Sequence, residues 1–336
     1  MKYLIVVLLA LTVAVSGGLA AVLALSRPVP PPPLAAIADA APELARAAAL
    51  APAYAFVTAR DGTRLAYRLY PGRAGGGVAV VIHGSTGLAS GMHALASALA
   101  AAGTAVYAID LRGHGESGTL GDIGYRGQLE DDLADLVAVI EQRSPGERRL
   151  LIGHSLGGGF ILRAASEAVG QRFDGFLALS PFISARSATS RPGTGGWTDV
   201  AVPRILALSL LNRVGISAFD GLDVVAYAVP ANAEGKRARI YTHRLLANMS
   251  LPRDWQPALG RIDKPTVVLV GANDQLFVAA AYADEIRAAN PKISVDVLAG
   301  IDHMGIVLAP AAIEAAVRAA AQLAGNRTLA GQNRLP

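Results

Sequence analysis

Leu150-Leu151-Ile152-Gly153-His154-Ser155-Leu156-Gly157-Gly158-Gly159 is the stretch on which the reading of this chain turns. A short aliphatic strand signal runs into a glycine, a serine stands between two glycines, and a helical pattern follows from Leu156 to Val169. This is Gly-x-Ser-x-Gly between strand and helix, the setting in which the serine heads a strained turn. Neighbouring side chains must nearly vanish for the backbone to fold so tightly. The turn lifts the serine oxygen above the sheet, and the helix N-terminus behind it favours developing negative charge. Ser155 is the candidate nucleophile.

Outward from this point, strand and helix signals alternate. Upstream, Phe56–Thr58 and Leu65–Tyr70 flank the turn dipeptide Asp61-Gly62, and Val78–Ile82 and Ala105–Ile109 read as strands covered on both faces. Gly91–Ala102 and Tyr125–Gln142 read as helices, the second with apolar residues at 129, 133, 136, 137 and 140. Downstream come strand Gly175–Leu179, strand Thr266–Val270, helix Val278–Ala289, strand Ser294–Leu298 and helix Ile306–Leu323. The alternation predicts an α/β fold with a mostly parallel sheet, helices on both faces and an antiparallel entry hairpin. Residues 181–257 interrupt it with proline and glycine stops and helical patches at Val202–Leu211 and Ile240–Met249. At 77 residues this is too long for a connection and reads as an insertion over the carboxyl edge of the sheet.

Composition narrows the chemistry. Of 336 residues, 52% are hydrophobic and 17% charged, which excludes disorder for most of the length. The net charge of +4 is not gathered into any long basic run, so no nucleic-acid partner is expected. The absence of cysteine removes disulfides, thiol nucleophiles, Cys-ligated zinc and iron–sulfur clusters. No metal or cofactor is expected, and no feature sets the oligomeric state.

A serine hydroxyl needs a base. Of six histidines, His83 and His114 sit in glycine-rich turns, His154 inside the elbow, His93 at a helix start and His243 in the insertion. His303 lies between the last strand and the last helix, where loops at the carboxyl ends of parallel strands converge, and is the candidate base. Asp274 follows strand Thr266–Val270 and gives the chain order Ser, Asp, His. Its bland alternative is a helix N-cap; its rival Asp302, adjacent to the histidine, should point elsewhere. The turn His83-Gly84-Ser85-Thr86-Gly87 after Val78–Ile82 can aim a backbone amide at a reacting carbonyl, so the Ser85 and Leu156 amides are the candidate oxyanion donors.

His83-Gly84, Asp110-Leu111-Arg112-Gly113-His114-Gly115-Glu116-Ser117, Gly153–Gly157, Asp274 and His303 together resemble the α/β-hydrolase superfamily. More narrowly, the set is similar to the monoacylglycerol lipase, lysophospholipase and serine-aminopeptidase-like branch. The resemblance covers about Tyr54 to Leu323. It implies an eight-stranded sheet, a helical lid after the sixth strand, a Ser155–Asp274–His303 triad and hydrolysis of an ester without cofactor. One departure stands at Thr86, where lipases of this branch carry a second glycine two places after the first.

At the N-terminus, Lys2 precedes an uncharged run from Tyr3 to Ser26 that ends at Arg27. As a helix it would reach roughly 36 Å, enough for a hydrocarbon core about 30 Å thick. It is expected to be a signal anchor, with Ala24-Leu25-Ser26 offering a cleavage site should it be a signal peptide instead. Charge placement favours a cytoplasmic N-terminus and a catalytic part outside the cytoplasm, periplasmic or extracellular; cleavage would make it secreted. The expected organisation is anchor or signal 1–27, Pro/Ala-rich linker 28–53, hydrolase core 54–180 and 258–325, lid 181–257 and tail 326–336.

The expected activity is cleavage of a lipophilic acyl ester such as a monoacylglycerol or lysophospholipid through an acyl-enzyme. Peptide or amide cleavage by the same triad would need a polar anchor for a free amine, for which Glu234, Asp220 and Asp223 are the lid candidates. A third reading is a membrane-tethered binding module without catalysis.

Overall fold

A computed structural model describes residues 2–325 apart from 231, 232 and 234; the tail 326–336 and Glu234 lie outside the described residues. Helix α1 (Lys2–Leu25) is followed by α2 (Ala35–Ala38) and α3 (Ala41–Leu50). Next come β1 (Tyr54–Thr58), β2 (Arg64–Tyr70), β3 (Val78–Ile82), α4 (His93–Ala101), β4 (Ala105–Ile109) and α5 (Gln128–Arg143). The elbow joins β5 (Arg149–His154) to α6 (Leu156–Ala165), and β6 (Gly175–Leu179) precedes the insertion. Within residues 181–257 lie the single turn α7 (Gly193–Gly196), β7 (Thr198–Val200), α8 (Val202–Arg213), β8 (Asp223–Tyr227), β9 (Ile240–Thr242), α9 (His243–Met249) and the start of α10 (Trp255–Gly260). The chain closes with β10 (Thr266–Gly271), α11 (Tyr282–Ala289), β11 (Ser294–Leu298), α12 (Gly305–Leu308) and α13 (Pro310–Leu323).

The main sheet has eight strands in the order β1-β2-β4-β3-β5-β6-β10-β11. Only β1 with β2, and β2 with β4, run antiparallel. The other pairs are parallel, as expected when helices return the chain across both faces. Strand β3 shows why its sequence is an unbroken apolar run. Val78, Val80 and Ile82 enter one core with α5 and α6, while Ala79 and Val81 enter the other with α4 and α13. Both faces of the pleat are dry, so no position is left for a polar side chain.

Register then places the chemistry. Ile82 lies opposite both Ile109 and Gly153, so the turns after β3, β4 and β5 emerge side by side. Leu269 pairs with Leu179 and Gly271 with Leu298, which bring the turns after β10 and β11 to the same edge.

The insertion departs from the helical expectation. Beside its helices it carries a three-stranded antiparallel sheet, β7-β8-β9. Ile240–Thr242, expected to open a helix, is a strand, and the helix begins at His243, capped by Thr242. The fully buried Val224 and Ala226 in β8 fix that pairing through packing. Other boundaries shift modestly: α6 ends at Ala165 before a short turn, Ala168–Arg172, and Pro310 divides the last helix in two.

Helix α1 is 24 residues long, has a mean hydropathy of 2.5 over its most apolar stretch and buries none of that stretch. It is long and apolar enough to cross a membrane. The chain beyond it does not hang free. Arg204 on α8 donates to the Ala24 carbonyl at 3.3 Å, and the Val29 amide donates to Asp199 at 2.6 Å. Ala47 of α3 is buried, and α3 lies on the turn Ala89–Met92 and on α4.

Candidate active site

Ser155 adopts φ 55° and ψ −121°, a backbone state that costs a side-chain-bearing residue about 1–3 kcal/mol and marks a constrained turn. Its amide donates to the Leu179 carbonyl, and its carbonyl accepts from Gly159 and Phe182, so β6, α6 and the start of the insertion lock the turn. Two glycines make the turn possible. A Cβ on Gly153 would stand 2.4 Å from the Gly157 carbonyl oxygen, and one on Gly157 would stand 2.2 Å from that of His83.

The three residues singled out for catalysis are brought together. His303 Nε2 lies 3.0 Å from Ser155 Oγ, and His303 Nδ1 lies 2.8 Å from Asp274 Oδ2. The other Asp274 oxygen accepts from the Leu276 and Phe277 amides, each at 2.9 Å. The N-cap alternative for Asp274 is thus partly true: one oxygen caps the turn and the other faces the imidazole. Burial pushes the Asp274 carboxyl up, but the nearby His303 and the hydrogen bonds outweigh it and hold the carboxyl below its ordinary value. It is therefore ionised around neutral pH and fixes the tautomer that leaves Nε2 free to accept. The side chain of Asp302, the rival, accepts from the Gly305 amide instead. Gln275, which the sequence reading passed over, accepts from the His303 amide at 3.1 Å, and the Phe277 ring meets the imidazole edge-on.

The remaining glycine-turn histidines serve structure. His83 donates from Nδ1 to the Gly84 carbonyl and accepts the Leu111 amide at Nε2. Burial lowers its pKa to about 4, and lowers those of His114 and His154 to about 3. His154 donates to the His303 carbonyl with its ring 4.8 Å from the His303 ring. Remaining neutral, it leaves Asp274 to answer any charge that develops on His303. The Asp110–Ser117 motif is architectural too. Asp110 accepts the Ala89 and Glu116 amides, and Arg112 makes a bidentate pair with Asp132 and a further one with Asp61.

Among the described residues, neither the Ser85 amide nor the Leu156 amide has an acceptor, and both residues flank Ser155 at the end of the sheet. The turn around Ser85 is held from the insertion. Tyr241 accepts the Thr86 amide at 2.7 Å, Arg237 donates to the Thr86 carbonyl at 3.0 Å, and the Trp197 indole donates to Ser85 Oγ at 2.9 Å. Thr86 has φ 58°, the left-handed state that glycine adopts freely. At this departure from the family pattern Thr86 thus holds a backbone state open to glycine, and Tyr241 and Arg237 stabilise it. Tyr241, Arg237 and Trp197 were not legible as site residues, because their role exists only after the insertion folds over β3.

A small cavity of about 80 Å³ opens above Ser155, lined in part by His303, Gly84, Trp197 and Leu276, and also by Ile37 and Leu44 from before the sheet. No group of His, Asp and Glu among the described residues is placed to hold a metal ion. A nucleophile, base and carboxylate in line beside two unpartnered amides can perform acyl transfer.

A family model described as serine aminopeptidase, S33, matches residues 75–306. The chain belongs to this family, within the α/β-hydrolase superfamily. A monoacylglycerol lipase of Mycolicibacterium smegmatis is 27% identical over 256 residues, covering 72% of this chain and 86% of that protein. Among solved structures, the monoacylglycerol lipase of Paleococcus ferrophilus superposes with a TM-score of 0.57 at 20% identity, over 78% of this chain and 99% of that one. A bacterial membrane phospholipase A, at 20% identity and a TM-score of 0.56, covers 98% of this chain and 100% of its own length. This S33 member is thus an α/β hydrolase.

Proposed function

We propose that the protein is a membrane-tethered serine hydrolase that cleaves lipophilic acyl esters, of the monoacylglycerol or lysophospholipid kind, through an acyl-enzyme. The observation that carries this is the continuous line from Asp274 through His303 to Ser155, 2.8 Å and 3.0 Å at its two links. In this reading His303 Nε2 removes the proton as Ser155 Oγ attacks the ester carbonyl carbon. The carbonyl oxygen gathers the negative charge against the Ser85 and Leu156 amides. The intermediate collapses by breaking the bond to the leaving alcohol, which takes the proton from His303. Water, deprotonated by the same imidazole, then releases the acid and restores Ser155.

Two features support a lipid substrate at a membrane. Helix α1 has the length and polarity of a span, with Lys2 as its first residue and Arg27 after it. The lid patch Ile205–Leu211 divides by face. Leu208 and Leu211 are buried as lid core, whereas Leu206 and Leu210, with Val202 and Val214 in line at four-residue spacing, are exposed beside the end of α1. The anchor is read as uncleaved, with the catalytic part outside the cytoplasm. The aminopeptidase alternative has less support. Asp220 pairs with His243 and Arg126, and neither it nor Asp223 lines the cavity above Ser155.

Full-length protein in detergent is expected to react with a fluorophosphonate at Ser155 and to hydrolyse acyl nitrophenyl esters faster than aminoacyl-nitroanilides. Ser155→Ala should lower ester turnover by about 10⁴-fold or more with an unchanged melting curve. Folded protein that neither labels nor turns over any ester would overturn the assignment and favour a binding module.

A further inference from the structure

The stretch between the apolar helix and the first strand was expected to be a linker, yet its side chains line the reaction cleft. Ile37 and Leu44 border the small cavity above Ser155. The same two residues border a second, larger chamber of about 520 Å³. That size falls within the range of ordinary ligand pockets. The two spaces also share Thr86, Leu88, Trp197 and Arg237, so they adjoin across the turn that carries Ser85.

The floor of the larger chamber is helix α3. Ala41, Leu44, Ala45 and Ala48 fall on one side of it at three- and four-residue spacing, and all four face the chamber. Ala47, one position off that face, is buried in the protein instead. Three alanines on the chamber side keep the space open, since any larger side chain there would fill it. Each cation at the rim already has a protein partner, though the buried Nε of Arg68 has none. Arg68 donates to the Ala51 and Pro52 carbonyls and stacks on Tyr54, Lys236 pairs with Glu116, and Arg237 holds the Thr86 carbonyl. What remains for a ligand is chiefly the apolar face of α2 and α3.

Resting on the serine-hydrolase reading, we infer that α2 and α3 form a wall of the acyl-binding site and set the acyl chain length the enzyme accepts. An acyl group bound at Ser155 passes Leu44 and runs along Ala45 toward Ala48. These residues act as a ruler: Leu44 is met first, Ala48 last. The segment that joins the apolar helix to the sheet is thus a specificity element for long-chain, lipid-derived esters.

The test uses the full chain in detergent and the ratio of kcat/KM for a sixteen-carbon over a four-carbon nitrophenyl ester. Ala45→Trp and Ala48→Trp fill the chamber and should lower that ratio by roughly 10-fold or more, Ala45 the more strongly. Ala45→Leu should move it in the same direction and less, which keeps the test standing if tryptophan disturbs α3. Ala49→Trp, on an exposed position that does not line the chamber, should leave the ratio within about 2-fold. An unchanged ratio in the Ala45 and Ala48 variants, in protein whose Ser155 still labels with a fluorophosphonate, overturns the wall alone. Wild-type protein that neither labels nor hydrolyses either ester overturns the hydrolase reading, and the wall with it.

Discussion

The sheet core and the insertion above it both hold the turn His83–Gly87, and they do so by different means. On the core side the turn hangs from β3, which is paired in parallel register on both edges and buried on both faces. Many weak, redundant contacts fix its position, and no single side chain decides it. On the insertion side three side chains reach it one by one: Tyr241, Trp197 and Arg237. Each such contact is a single hydrogen bond and can be removed by one substitution. The core sets where the chemistry sits, and the insertion sets the shape of one loop within it.

That contrast predicts where a small change does the most harm. Asp274→Asn keeps the size of the side chain but permits the wrong imidazole tautomer, so kcat should drop by about 10⁴-fold while thermal unfolding stays near wild type. A loss below tenfold would mean that Asp274 is only the cap of its turn. Acid should act next most strongly, and on the core. His83 and His114 stand after β3 and β4 and His154 ends β5, where burial holds their pKa at about 4, 3 and 3. An unfolded histidine protonates near pH 6.5. The unfolded chain therefore binds more protons below that pH, and stability present above it is lost as pH falls toward 4. The melting temperature should fall by roughly 5 °C or more between pH 7 and pH 5; a flat profile would break this account.

Tyr241→Phe probes the insertion side directly. The hydroxyl accepts the Thr86 amide and donates to His114 Nε2, and its loss leaves two buried groups without partners. A destabilisation of about 1–3 kcal/mol by denaturant titration is expected. Displacement of the Ser85 amide should also lower kcat/KM by roughly 10-fold, whereas a loss of stability without a loss of rate would separate the turn from catalysis. The smallest effect belongs to Thr86→Gly. Relief of the left-handed strain offsets the lost packing of a buried threonine, so the melting temperature should move by no more than about 2 °C. A large drop would show that the threonine side chain, rather than the backbone state, is what that position requires.

The same contrast explains what could be read in advance. Strands β3, β4 and β6 are contiguous apolar runs because both faces are covered, and that pattern is local. Ser155, Asp274 and His303 were picked out as candidates from their places after strands, and topology alone converts those places into proximity. Strand β9 was hidden because Ile240-Tyr241-Thr242 is only three residues long and its conformation is decided by pairing with β8. Trp197 and Tyr241 looked like any core aromatics until the insertion was in place. Residues 28–53 read as a spacer because proline and alanine carry no signal for what a helix will lie against.

One practical consequence follows from the seating of α3 on the turn Ala89–Met92. A water-soluble version prepared by cutting just before Tyr54 would lack the side of the vessel that Ile37 and Leu44 supply. A protease that cut between α3 and β1 would do the same, so the fragment it released would be a hydrolase of altered reactivity rather than a smaller copy of the original.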